Sequence, residues 1–232
     1  DCIGLGLTPF IKRIDKIMKY KNIVWDWNGT LLDDLQTGVD TLAEMLSRRN
    51  IKPLSVEEYK KLFGFPVIDF YAKVGFDLQA ESMHDLSVDF VETYDKNAKE
   101  LQLNEGVENV LVSLKESGRQ QYILSALRED LLQQMTADFH ISSYFEQICG
   151  SDNIYAAGKI DRGKRMVNTY KLCPAETLMV GDTLHDAEVA KALGFDCLLF
   201  TGGHNDQVRL RKVAPTISQL SGLLKWLNEF DG

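Results

Sequence analysis

Cysteine is scarce and scattered. Four are present in 232 residues: Cys2, Cys149, Cys173 and Cys197. None forms a CxxC pair and none has a histidine nearby, which excludes a disulfide framework and a thiolate metal site. Reduced, mostly buried thiols and a cytoplasmic location are expected. A basic balance is missing as well. Lys and Arg total 26 against 34 Asp and Glu, for a net charge of -8. With no dense Lys/Arg run, a nucleic-acid partner is excluded, and an anionic ligand would need local cations or a metal. No apolar run approaches the length of a membrane span. Residues 1–17, "DCIGLGLTPFIKRIDKI", lack the basic start, long apolar stretch and small-residue cleavage site of a secretory leader. They are expected to be an extension to a domain beginning near Met18. No internal repeat or low-complexity tract is visible.

What the chain has is a rhythm. Short, nearly continuous apolar runs fall at 22–26, 120–125, 146–149, 177–181 and 196–200. Strands buried on both faces of a parallel sheet read this way. Helical patterns at 106–117, 162–172 and 184–193 separate them, with Gly118 and Gly194 placed as C-caps. The alternation predicts an α/β fold, a doubly wound, Rossmann-like parallel sheet. From Asp34 to about Asn104 no convincing strand is found. Amphipathic patterns at 35–49 and 80–101, and a capping box of Ser55 and Glu58, predict helices there. An insert of roughly 70 residues is too long for a loop. The expected division is a second, all-helical domain at 34–104 inserted into a core of 18–33 and 105–232.

In open α/β sheets ligands gather beyond the carboxyl ends of the strands. The first strand ends in Asp26, followed by Asn28, Gly29 and Thr30. The second ends at Ser125, next to Ala126. Lys159 follows the third, and "VGDTLHD" after the fourth carries Asp182 and Asp186. Each has a plain structural reading: an Asp after a strand caps helices, a Ser turns chains, a Lys is a solvated charge. The conjunction, in order and at strand ends, is what points to a site.

With those residues in view, the sequence resembles the haloacid dehalogenase-like hydrolase superfamily. "DWNGTL" at 26–31 is similar to its first motif, usually D-x-D-G-T-L. "YILSA" at 122–126, Lys159 and "VGDTLHD" at 180–186 are similar to the second, third and fourth. The general pattern is similar to phosphoglycolate phosphatase-like members. The resemblance implies a Mg²⁺-dependent phosphatase, monomeric or homodimeric, acting on a small phosphorylated metabolite through an aspartyl-phosphate. Asp26 would be the nucleophile. Asp26, the main-chain carbonyl of Asn28, and Asp182 would hold the metal, with Asp186 bonding metal waters or Lys159. Lys159, Ser125, Ala126, Gly29 and Thr30 would surround the phosphate. Lys164 is a rival for Lys159, because the family often has Pro after its lysine and this chain has Ile160; Lys159 is preferred because "AAGK" lies before the helical pattern and Lys164 falls inside it.

Asn28 departs from the pattern. The family's phosphatases carry there an acid that protonates the leaving oxygen and then activates water. Asparagine only donates and accepts hydrogen bonds. General acid–base help is worth about 10²–10⁴-fold in rate. Three readings follow: a phosphatase favouring leaving groups that depart unprotonated, such as acyl phosphates; a phosphonate hydrolase using a cap lysine (Lys52, Lys60 or Lys61); or a phosphate-binding protein of low turnover. His185 is a weak candidate for a substitute acid. Phe63, Phe65 and Phe70 sit in the aromatic stretch 62–76, mostly as expected cap core. No arginine there stands ready to clamp a substrate carboxylate.

Overall fold

A computed structural model describes residues 18–155 and 158–231. The expected extension at 1–17 lies outside the described residues. Among the described residues there are eight strands: β1 Asn22–Trp25, β2 Leu32–Asp33, β3 Gln102–Leu103, β4 Gln120–Arg128, β5 Gln147–Ser151, β6 Thr177–Gly181, β7 Asp196–Phe200 and β8 Thr216–Ile217. Among them run the helices α1 Leu35–Arg48, α2 Val56–Leu62, α3 Val67–Val74, α4 Met83–Asn97, α5 Val107–Glu116, α6 Glu129–Asp138, α7 Lys159–Tyr170, α8 Leu184–Leu193, α9 Gln207–Leu210 and α10 Gly222–Asn228. Among the described residues no helix is long and apolar enough to cross a membrane.

Six strands form one parallel sheet in the order β5-β4-β1-β6-β7-β8. β1 lies between β4 and β6, so the strand order reverses beside it. Successive side chains of a strand point to opposite faces. Accordingly Ile23 and Trp25 enter one apolar cluster with Val110, Leu111 and Leu114 of α5, and Val24 enters another with Met166 of α7 and Val189 of α8. Helices thus cover both faces, as the doubly wound reading requires. β1 is completely buried. Each such side chain is worth about 1.5–3 kcal/mol relative to exposure.

The stretch from α1 to α4 is helical and has its own apolar cluster, built on Leu42, Met45, Leu46, Phe70, Tyr71 and Leu86. The Ser55–Glu58 capping box is formed at the start of α2. One strand was missed here. β3 pairs antiparallel with β2, Leu32 opposite Leu103, where the chain leaves the sheet and returns. Two residues carry no periodicity that a sequence could reveal. Asn104 ties the same crossing by donating from Nδ2 to the carbonyls of Thr30 (2.8 Å) and Leu32 (3.2 Å). The cysteines correct the expectation of burial: Cys173 is exposed, and Cys149 and Cys197 are half-buried.

Candidate active site

The four segments converge, although β4 runs on to Arg128, so Ser125 lies within the strand where its register with β5 shifts between Leu124 and Arg128. Asp26 follows β1 directly, its amide bonded to the carbonyl of Val180 at 2.8 Å. Lys159, the first residue of α7, donates from Nζ to Asp26 Oδ1 at 2.6 Å and to Asp186 Oδ1 at 2.7 Å. It is 3% exposed and both partners are buried. Lys164, by contrast, is exposed and paired with Asp161. Lys159 therefore starts the helix and does not precede it, yet it is the lysine directed at the carboxylates. Asp186 serves two purposes. Its Oδ2 accepts from the Thr183 amide and hydroxyl, closing a capping box on α8, while Oδ1 faces Lys159.

Ligand-capable oxygens of Asp26, Asp182 and Asp186 lie within 4.8 Å of one another. Burial, and then the charge of Asp186, push the Asp26 carboxyl up to about 8, with Lys159 opposing. Asp182 is pushed up to about 6, again by burial first, with His204 opposing and Asp186 adding. Lys159 is raised: burial would lower it, but Asp186 and Asp26 outweigh that. Three carboxylates against one ammonium leave a surplus of negative charge held in oxygen donors. That donor set fits a hard divalent cation.

Ser125 is buried, and its Oγ accepts the amide of Leu127 at 3.0 Å. Its hydroxyl proton is thereby left for another acceptor. Asp26, Asn28, Ser125, Ala126 and Lys159 all line one cavity of about 490 Å³. Two expectations change. The Thr30 hydroxyl is taken by Asp182 Oδ1 at 3.0 Å, so Thr30 orients a carboxylate. Gly29 has φ +72, and a Cβ there would lie 2.4 Å from both Asp182 Oδ2 and His204 Cδ2. Its smallness lets Asp182 and His204 close in; the expected approach was to phosphate. His185 is stacked on Phe65 and bonded to Glu188, outside the cavity lining.

The sequence reading missed a second polar group beside Asn28. Asp34 holds the N-cap position of α1 but makes no side-chain capping bond. Its Oδ1 accepts from the Gly29 amide (2.7 Å) and faces His204 Nε2 (3.1 Å). Its Oδ2 accepts from Asn28 Nδ2 and from the Tyr94 hydroxyl, both at 2.7 Å. His204 Nδ1 meets the Tyr59 hydroxyl at 3.0 Å, and its amide donates to Asp182 at 2.6 Å. Burial alone would raise the Asp34 carboxyl, but the His204 charge and these donors bring it below its ordinary value. The imidazole goes up to about 9, burial being outweighed by Asp34. The Asn28 amide is thereby oriented: Nδ2 is committed to Asp34, and Oδ1 is turned away from it. In the sequence Asp34 reads as an ordinary helix cap, and only the structure shows that it makes no capping bond.

These shifts give the metal-free protein a definite pH response. His204 contributes stability fully present below its unfolded value of 6.5 and lost as pH rises through about 9. Asp26, raised from 3.8 to about 8, acts in the same direction: the native state holds the proton that the unfolded state has released. The melting temperature in a chelator should fall from pH 6 to pH 9, by roughly 2–4 °C per kcal/mol lost. His204→Gln should flatten the fall. A melting temperature that rises over this range contradicts the assignment.

A sequence model of the haloacid dehalogenase-like hydrolases matches residues 23–200. The chain belongs to that family. Among curated proteins it is 27% identical over 208 residues to a phosphoglycolate phosphatase of Pseudomonas fluorescens, covering 84% of this chain and 74% of that one. It is 23% identical to a 5'-nucleotidase of Pseudomonas aeruginosa, covering 87% and 92%. A crystal structure described as a predicted phosphatase from Clostridium acetobutylicum superposes with a TM-score of 0.74 at 20% identity, covering 90% and 99%.

Proposed function

We propose that the chain is a Mg²⁺-dependent phosphatase working through a phosphorylated Asp26, with residues 34–104 as a cap that closes over the site. The observation that carries the reading is Lys159 bridging Asp26 and Asp186 beside Asp182, at the floor of a cavity. The related phosphatases support the reaction class. Asp26, Asp182 and the Asn28 carbonyl would hold the ion, and Asp186 would steady its waters. When bound, Mg²⁺ supplies positive charge that offsets repulsion between a carboxylate and a phosphate dianion.

The chain's own residues do the rest. Lys159 occupies Asp26 Oδ1, so attack on phosphorus falls to Oδ2. The bond from phosphorus to the leaving oxygen breaks, and that oxygen departs with the electron pair. Ser125 donates its hydroxyl proton to a phosphoryl oxygen, and the Ala126 amide lies beside it. Water then splits the acyl phosphate and restores Asp26. Asn28, with Nδ2 held by Asp34, can accept a hydrogen bond from a water through Oδ1 but supplies no proton to a leaving oxygen. None of Lys52, Lys60 and Lys61 lines the cavity, and Lys60 is spent on the Thr201 carbonyl at 3.1 Å. The phosphonate reading therefore gains no support.

Phosphate release from p-nitrophenyl phosphate or acetyl phosphate should require Mg²⁺, and Mg²⁺ should raise the melting temperature. Asp182→Asn should lose both responses. A binding protein without turnover would release no phosphate from either compound, and that result would overturn the reading.

A further inference from the structure

The cavity above Asp26 has an unusual lining for a site meant to receive a small charged metabolite. Its walls are partly buried apolar side chains, four of them (Phe63, Phe90, Leu127 and Met135) at the edges of two apolar clusters. Phe63, Phe65 and Phe90 come from the helical segment, and Leu127, Leu131 and Met135 come from the core. None of these six is fully buried by protein neighbours. Three cationic side chains, Lys159, His204 and Arg128, line the cavity, and His204 is held by Asp34. Lys159 is committed to the carboxylates, and Arg128 is paired with Asp130 at 2.5 Å. Asp95 adds negative charge to the same wall. A leaving group bearing a carboxylate would find no clamp here and an acid opposite it.

Two further facts bear on the leaving group. Ser87 lines the cavity, is 4% exposed, and its Oγ has no hydrogen-bond partner among the described residues. A buried hydroxyl of this kind is normally met by a ligand or water. Asn28 supplies no proton to the departing oxygen. An aliphatic alkoxide needs that proton, whereas a phenolic oxygen, with a pKa of ~10, can leave without it.

Resting on the phosphatase reading above, we propose that the substrates are small aryl phosphate monoesters whose ring occupies the apolar chamber between cap and core. The Asp26 oxygen–phosphorus bond forms as the phosphorus–phenolic oxygen bond breaks. The phenolate leaves with the electron pair and is protonated by water. A second water releases inorganic phosphate from Asp26. The ring supplies apolar surface to the six side chains, and a polar substituent on its far side can meet Ser87. Volume agrees with this assignment: about 490 Å³ is within the range of sites for drug-sized ligands.

Calorimetric titration with non-hydrolysable phosphonates in Mg²⁺ separates this proposal from the reaction itself. 1-Naphthylmethylphosphonate should bind on the order of 50-fold tighter than methylphosphonate, from burial of the ring. Phosphonoacetate should gain nothing over methylphosphonate. Phe65→Ala and Phe90→Ala, each checked for an unchanged circular dichroism spectrum, should shrink the naphthyl-to-methyl ratio. Free 1-naphthyl phosphate should show a higher kcat/KM than a phosphotyrosyl peptide, whose flanking polar chain is poorly matched to the apolar walls. Equal affinity for the methyl and naphthyl compounds, tighter binding of phosphonoacetate, or preference for the peptide overturns the proposal while leaving a phosphatase in place. No binding of any phosphonate together with no phosphate release overturns the phosphatase reading and this proposal with it.

Discussion

Asp26→Asn is expected to lower kcat by a factor on the order of 10⁴ or more, as removal of a nucleophile does elsewhere. Asparagine has the same shape and keeps a hydrogen-bond acceptor for Lys159, so the fold should survive. It cannot form the acyl phosphate. Stability should move in the opposite direction to activity. Asp26 is a buried carboxyl pushed up to about 8 by burial and by Asp186. Exchanging it for a neutral group relieves that crowding, so the metal-free variant should melt at or above the wild-type temperature at pH 8. The Mg²⁺-induced rise in melting temperature should shrink, because one donor is weakened. Acid-quenched wild type should carry label from a ³²P-phosphate ester on an alkali-labile bond, and the variant should carry none. A variant that turns over at near wild-type rate, or that still becomes labelled, would remove Asp26 from the reaction.

Much of this arrangement was legible because the sheet concentrates it. Asp26, Ser125 and Asp182 each end an apolar run, and a parallel sheet brings such ends to one rim. Lys159 was legible from the same logic, although the reason for preferring it over Lys164 changed: burial against Asp26 and Asp186 distinguishes it, and both lysines are helical. The pairing of Asp34 with His204 was not legible. The two residues are 170 apart in sequence, and His204 sits in a loop with no periodicity to place it. Side-chain direction was hidden in the same way. Thr30 was read as a phosphate donor from its neighbourhood, and only its actual partner, Asp182, shows what it does. The aromatic stretch shows the limit from the other side. All three rings border the cavity, but Phe70 is buried in the apolar cluster of the helical segment, whereas Phe63 and Phe65 are only partly buried. Periodicity alone does not divide one from the other.

The substitution Asn28→Asp should behave differently alone and in company. Taken alone it restores the family's acid, but it sets a second carboxylate where Asn28 Nδ2 now donates to Asp34 Oδ2 at 2.7 Å. Two carboxylates that close cannot both ionise freely, and one must hold a proton or the loop must shift. The single variant should therefore be less stable than wild type and gain little in rate. Joined to Asp34→Asn, the charge is moved and not doubled: the amide at 34 can donate to the new carboxylate as Asn28 now donates to Asp34. The double variant should raise kcat for alkyl phosphates on the order of 10²-fold. It should also flatten the dependence of rate on leaving-group pKa and lower the steady-state level of phosphorylated Asp26. Aryl esters should gain least, since their leaving oxygen needs no proton. His204, deprived of its main anionic partner, should titrate lower than in wild type, which NMR of the imidazole would report. The decisive quantity is the coupling between positions 28 and 34 in a double-mutant cycle. If the two substitutions are additive in rate and stability, Asp34 is not what governs Asn28. If the double variant keeps the wild-type slope against leaving-group pKa, the absent proton is not what limits this enzyme.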